Sequence, residues 1–73
     1  MNYSAVVYNK KSVRVFNSIT GTIVSTINIG ANIIGSPIVN GNKLAVVTEP
    51  QPGNMYNTVY EIPSGKQITK NKF

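Results

Sequence analysis

Seventy-three residues allow one domain, and a chain of this length buries too little apolar surface to be comfortably stable without a covalent staple, a metal or partners. With no Cys, no His and no Asp, and with Glu49 and Glu61 as the only side-chain carboxylates, the composition excludes disulfides, thiolate or imidazole metal ligands, Ser–His and Cys–His nucleophile pairs and imidazole acid–base chemistry. Lys10, Lys11, Arg14, Lys43, Lys66, Lys70 and Lys72 bring the net charge to +5, but no cationic run is longer than Lys10-Lys11, so the cations read first as solvated surface and second as a face for an anion.

Val, Ile and Thr supply 24 of the 73 residues, which favours the pleated, half-buried surface of strands over helix throughout. The first strand is expected at about residues 3–8, closed by Asn9-Lys10-Lys11, and the second at about 12–17, closed by the turn from Ser18 to Gly21. The third, at about 22–29, alternates most clearly, with Ile23, Ser25, Ile27 and Ile29 facing one way and Val24, Thr26 and Asn28 the other. After Gly30 to Asn32 come a fourth strand at about 33–39 and a fifth at about 43–48, joined at Asn40-Gly41, a pair suited to a type I′ hairpin turn because both residues tolerate positive φ. A loop from Glu49 to about Asn57, the longest in the chain, leads to a sixth strand at about 56–62, and Pro63-Ser64-Gly65 leads to a seventh at about 66–72.

The chain repeats itself. Val15-Phe16-Asn17-Ser18-Ile19-Thr20-Gly21 aligns with Val59-Tyr60-Glu61-Ile62-Pro63-Ser64-Gly65 at an offset of 44, and Ala5-Val6-Val7 aligns with Ala45-Val46-Val47 at an offset of 40. The difference falls in the stretch holding Pro50, Gln51, Pro52 and Gly53, where an insertion is tolerated. About 40 residues in four short strands is the spacing of a propeller blade.

The run Val13 to Gly30, then Gly35-Ser36-Pro37-Ile38-Val39 and Lys43 to Thr48, resembles the repeats of YVTN-type and quinoprotein-type β-propellers. That resemblance implies an all-β fold of β-propeller blades, with about seven strands per chain in a single segment spanning 1–73. An incomplete first blade would occupy about 1–30 and a second blade about 31–73. Propellers carry four to eight blades, whereas this chain holds fewer than two, and a repeat unit needs stacked neighbours to close its core. Homo-oligomerisation is therefore expected, identical subunits following head-to-tail, with a homotrimer giving 3 × 2 = 6 blades as the preferred ring. A free-standing seven-strand sandwich or barrel and a segment of a longer propeller are the competing architectures, and the initial Met1 favours an intact gene product over the latter. The quinoprotein cofactor ligands have no matching acidic or cysteine positions here, so no cofactor is expected.

In the blade order, the loops after the second and fourth strands of a blade open on one face. That places Tyr8, Asn9, Lys10, Lys11, Asn32, Glu49, Gln51, Asn54 and Tyr56 on a candidate ligand face, with Tyr8 and Tyr56 as its aromatic pair. Phe16 and Tyr60, at equivalent repeat positions, are expected to fill space between layers, and Ile68 and Phe73 to meet the next subunit, since Phe73 holds the repeat position of Ile29. Glu49 and Glu61 occupy different blade positions and read as surface charge rather than a glycosidase-like pair. Ser12 beside Lys11 makes no activated nucleophile, because adjacent strand residues point to opposite faces. The expected role is a non-catalytic structural or binding module presenting loops to a glycan or protein. Nucleic-acid or anionic-surface binding is the alternative. The absence of an apolar run of about 20 residues or a signal pattern makes the expectation a soluble, unprocessed chain without a membrane partner.

Overall fold

The β-branched, alternating segments do form strands. The computed structural model describes residues 2–73, and among them are seven strands and no helix: β1 Tyr3–Tyr8, β2 Ser12–Asn17, β3 Ile23–Asn28, β4 Ile33–Asn40, β5 Lys43–Gln51, β6 Asn54–Glu61 and β7 Lys66–Lys72. They make two antiparallel sheets in simple meander order, β1-β2-β3 and β4-β5-β6-β7. The chain passes from one sheet to the other between Asn28 and Ile33.

Register decides which side chains share a face. In the three-stranded sheet Ala5, Val15 and Ser25 stand side by side, as do Val7, Val13 and Ile27; the opposite face carries Val6, Arg14 and Thr26, and Ser4, Phe16 and Ile23. In the four-stranded sheet one face carries Val39, Leu44 and Tyr60 together with Val46 and Thr58, and the other carries Ile38, Ala45, Val59 and Thr69 together with Ile34, Val47 and Asn57. The sheets stack through the first face of each. Val13, Val15 and Ile27 meet Leu44, Val46, Tyr60 and Ile62 in one buried cluster, flanked by Tyr3, Ala5, Ile29, Ile33 and Val39.

Burial raises the pKa of the Tyr60 phenol above its ordinary value, because the charged phenolate would be held away from water. The unfolded chain therefore ionises this group first. Stability from Tyr60 is fully present below about pH 10 and is lost as pH rises through the raised folded value. Tyr60→Phe is expected to flatten that part of the alkaline fall in stability while leaving the free energy of unfolding at pH 7, read from urea titration, within about 1 kcal/mol of the parent.

Two sheet interiors and their turns repeat in detail. The β2–β3 ladder is bulged between Val15 and Phe16, leaving Val24 without an opposite residue, and the β6–β7 ladder is bulged between Val59 and Tyr60, leaving Ile68 so. These are the same positions 44 residues apart. The Gly21 amide donates to the Asn17 carbonyl at 2.8 Å, and the Gly65 amide donates to the Glu61 carbonyl at 2.7 Å; both glycines have positive φ, 76° and 80°. Likewise the Ser18 amide donates to the Asn2 carbonyl at 3.0 Å, and the Ile62 amide to the Asn42 carbonyl at 2.8 Å.

An alanine at either glycine is strained by about 1–2 kcal/mol through its left-handed backbone. At Gly65 a Cβ also meets Ile27 Cγ1 at 3.3 Å, whereas at Gly21 it meets nothing within 4 Å. Gly65→Ala is accordingly expected to lower the free energy of unfolding by about 1 kcal/mol more than Gly21→Ala, read from urea titrations of the two variants.

Three expectations change. The bulge at Val24 puts Ile23 opposite Phe16 on the outward face, so Ile23 does not share a face with Ser25 and Ile27. The stretch from Glu49 to Asn57 is not a long loop: β5 runs to Gln51, β6 starts at Asn54, and Gln51 pairs with Asn54 across Pro52-Gly53. Pro at the second position and Gly53 with φ 84° at the third suit a type II turn, so four added residues lengthen a hairpin rather than open a loop. Finally, the turn between β4 and β5 has positive φ at Gly41 alone, the II′ pattern of Gly followed by Asn42, with Asn40 paired to Lys43 as the last strand residue.

Candidate functional site

The expected ligand-face residues come together at one end of the sandwich, and backbone hydrogen bonds tie them there. Asn9 and Lys10 turn the chain from β1 into β2 with φ of 62° and 60°, a left-handed pair that costs a lysine about 1–2 kcal/mol and needs support from its surroundings. The support comes from the link between β3 and β4. The Ile33 amide donates to the Lys10 carbonyl at 2.9 Å, and the Ile29 and Gly30 amides donate to the Lys11 carbonyl at 2.9 and 3.2 Å. The Glu49 amide in turn donates to the Asn32 carbonyl at 2.9 Å, joining the base of the β5–β6 hairpin to the same cluster. Phe73 donates its amide to the Met55 carbonyl at 3.0 Å, so the end of β7 lies beside the start of β6 at this end as well.

Each tyrosine of the expected pair carries a cation. The Arg14 guanidinium carbon lies 3.8 Å from the centroid of the Tyr8 ring, and Lys70 Nζ lies 4.7 Å from that of Tyr56. These cations were not linked to the tyrosines by sequence spacing, although the cross-strand diagonals of β1–β2 and β6–β7 bring them within reach. The two rings do not share one surface. Tyr8 stands in register with Ser12 on the outward side of the three-stranded sheet, while Tyr56 stands in register with Thr48 on the side of the four-stranded sheet that faces its neighbour.

Charge is uneven between the two ends. Lys10, Lys11, Lys70 and Lys72 sit on the turn or within two residues of a strand end at the hairpin end, against Glu49 alone. Glu49 is partly engaged by its own hairpin, its Oε2 accepting from the Gly53 amide at 3.2 Å, and Asn54 Nδ2 donates to Gln51 Oε1 at 3.4 Å across the same turn. Glu61 sits at the opposite end, in register between Lys43 and Lys66. It lies six residues of strand from the level of Glu49, about 20 Å. That separation is well beyond the 5–9.5 Å of a glycosidase carboxylate pair.

Of the layer-filling aromatics, Tyr60 is buried in the cluster between the sheets, whereas its repeat counterpart Phe16 is half-buried on an outward face with no layer over it. Ile68 and Phe73 are exposed. The total accessible area, 4604 Å², is close to the roughly 4,400 Å² expected of a folded chain of this mass, so the chain is compact and the unusual feature is what its outer surfaces are made of. Val6 is 50% and Ile23 55% exposed on one outward sheet face, and Ile34 is 41% and Ile38 67% exposed on the other. Sequence alternation put Ile23 on the face of Ile27 and left Val6, Ile34 and Ile38 unassigned, because the irregularities that set register at Val24 and between Ile34 and Ile38 leave no local signature.

Among the described residues there is no pocket, no group of three or more His, Cys, Asp or Glu side chains, and no helix long and apolar enough to cross a membrane. No family model, curated protein or solved structure matches the chain.

Proposed function

We propose that the chain is a non-catalytic structural or binding module whose two sheets are β-propeller blades, and that identical copies complete the ring, three copies giving six blades. One observation carries the reading: the bulge, the glycine turn and the Asn2/Asn42 hydrogen bond recur at the offsets of the sequence repeat, which supports reading the two sheets as two copies of one unit. Such units gain their stability from stacked neighbours, and this chain supplies one stack. The tied end holding Asn9, Lys10, Lys11, Asn32, Glu49, Gln51 and Asn54 is then the surface offered to a glycan or protein, with Tyr8 and Tyr56 beside it on different faces, since turns fixed on a rigid scaffold recognise with little ordering cost.

Small-angle scattering in solution tests the assembly. A compact ring of 3 × 73 residues has a radius of gyration of about 17 Å, against 11.6 Å for the single chain. A value that stays near 11.6 Å at every concentration sinks the ring.

The concentration of Lys10, Lys11, Lys70 and Lys72 at one end favours a second reading, an anion-binding module. Anisotropy titration of a fluorescent single-stranded oligonucleotide separates the two. Binding through phosphates must weaken steeply with salt, log K falling by about 0.7 per phosphate for each decade of salt, and salt-insensitive or absent binding favours the first reading.

A further inference from the structure

The repeat makes a statement about the two outward sheet faces that neither sheet makes alone. Ala5 and Val15 of the three-stranded sheet face the neighbouring sheet; their repeat counterparts, Ala45 and Val59, lie on the outward face of the four-stranded sheet with Ile34 and Ile38. Conversely Val46 and Tyr60 of the four-stranded sheet face inward, and their counterparts Val6 and Phe16 lie on the outward face of the three-stranded sheet with Ile23. Each uncovered face is thus the copy of a face that is already packed inside the chain. The two uncovered faces are of opposite kinds, one matching each side of the internal interface.

From this we infer that the outward Val6, Phe16 and Ile23 face of one chain docks on the outward Ile34, Ile38, Ala45 and Val59 face of a second copy, head-to-tail, as a near-repeat of the contact inside each chain. The inference rests on the ring reading and deepens it by naming the two surfaces. A heterologous pairing of this kind uses a different patch on each partner and leaves both chain ends of the stack free to add another copy until the rotation closes.

Two further observations select a second copy as the occupant. The internal sheet–sheet interface is itself a worked example of the contact, with Val13, Val15 and Ile27 against Leu44, Val46 and Tyr60. The end of β7 brings Phe73, 75% exposed, beside Met55 on the same side as Asn57 and Val59, where its repeat counterpart Ile29 flanks the packed cluster inside the chain.

Complementation tests the pairing. Val6→Arg spoils one face and Ile38→Arg the other, and because both sites are at least half exposed the substitutions leave the single-chain core intact, which circular dichroism and urea midpoints check. Each variant alone should associate about thirtyfold more weakly or worse, as loss of a central apolar contact does. Mixed one to one, they retain one good face of each kind and should form a single dimer, 2 × 7.9 = 15.8 kDa by light scattering, that adds no third chain. A dimer formed by either variant alone means like faces pair and overturns the assignment. A parent protein that assembles while the mixture does not overturns the face pairing and leaves the ring reading standing. A parent protein that stays a folded monomer overturns both.

Discussion

Leu44→Ala is expected to cost about 2–5 kcal/mol of folding free energy, enough to leave a substantial unfolded fraction at 25 °C. Leu44 is fully buried and is the largest side chain to be so, at the point where β5 meets Val13 and Val15 of β2, Ile27 of β3 and Tyr60 of β6. A chain of 73 residues has about 4–11 kcal/mol of stability to lose at the usual 0.05–0.15 kcal/mol per residue, so one cavity removes a large share of it. The repeat counterpart supplies the control. Ser4 stands 40 residues earlier on an outward, exposed position, and Ser4→Ala should move stability by no more than about 0.5 kcal/mol. Urea titration followed by circular dichroism, at one fixed chain concentration because association adds to apparent stability, reads both variants. A Leu44→Ala cost below about 1 kcal/mol means that the two sheets do not close around this residue.

The second large effect falls on association rather than on folding. Phe73→Ala, or removal of Lys72-Phe73, is expected to lower the association constant of the chain about a hundredfold or more, the upper bound being the 3–5 kcal/mol cost of truncating a packed aromatic. Within one chain Phe73 is exposed and its backbone amide donates to the Met55 carbonyl, so its loss should leave the free energy of unfolding of the dissociated chain unchanged within about 0.5 kcal/mol. Lys70→Ala is the contrast. It removes a cation stacked on Tyr56 at 4.7 Å, worth about 0.5–1 kcal/mol within the chain, and should leave association within a few fold of the parent. Sedimentation equilibrium on the three proteins decides it, and an unchanged association constant for Phe73→Ala would show that this strand end takes no part in joining subunits.

The strands were legible because short β-branched runs are separated by turn residues whose special backbone angles have one cheap solution. Gly21, Gly41 and Gly65 each take positive φ where a turn was read, and the strand bounds of β1 and β2 coincide with those expected from the Asn9 and Ser18 breaks. The insertion at Pro50 to Gly53 was legible as an insertion but not as a hairpin, since Pro-Gly suits either an open loop or a tight type II turn and only pairing with the partner strand decides. Facing was the least legible property. A bulge such as that at Val24 shifts every side chain before it by one position and reverses the face of Ile23, without any residue type that announces it.

For the candidate site, the blade order implied by the propeller resemblance grouped Asn9, Lys10, Lys11, Asn32 and Glu49, and they do lie at one end because alternate turns of an antiparallel meander return to the same end. It could not assign Tyr8 and Tyr56 to different faces or give each its cation, because those contacts depend on cross-strand diagonals that register fixes. Nor could it say that Phe16 and Tyr60, alike in sequence position, differ in burial. Tyr60 has the second sheet over it, whereas Phe16 lies half-buried on an outward face with no layer over it.

The mass of the protein in solution bears most directly on whether this chain is one third of a ring. Sedimentation equilibrium of the unmodified chain across about 1–100 µM, a range that spans ordinary homo-oligomer affinities, should show mass converging on 3 × 7.9 = 23.7 kDa with no larger species, because a closed ring leaves no face free. A folded species that stays at 7.9 kDa throughout that range would contradict the account, and open-ended growth would show that the faces join without closing.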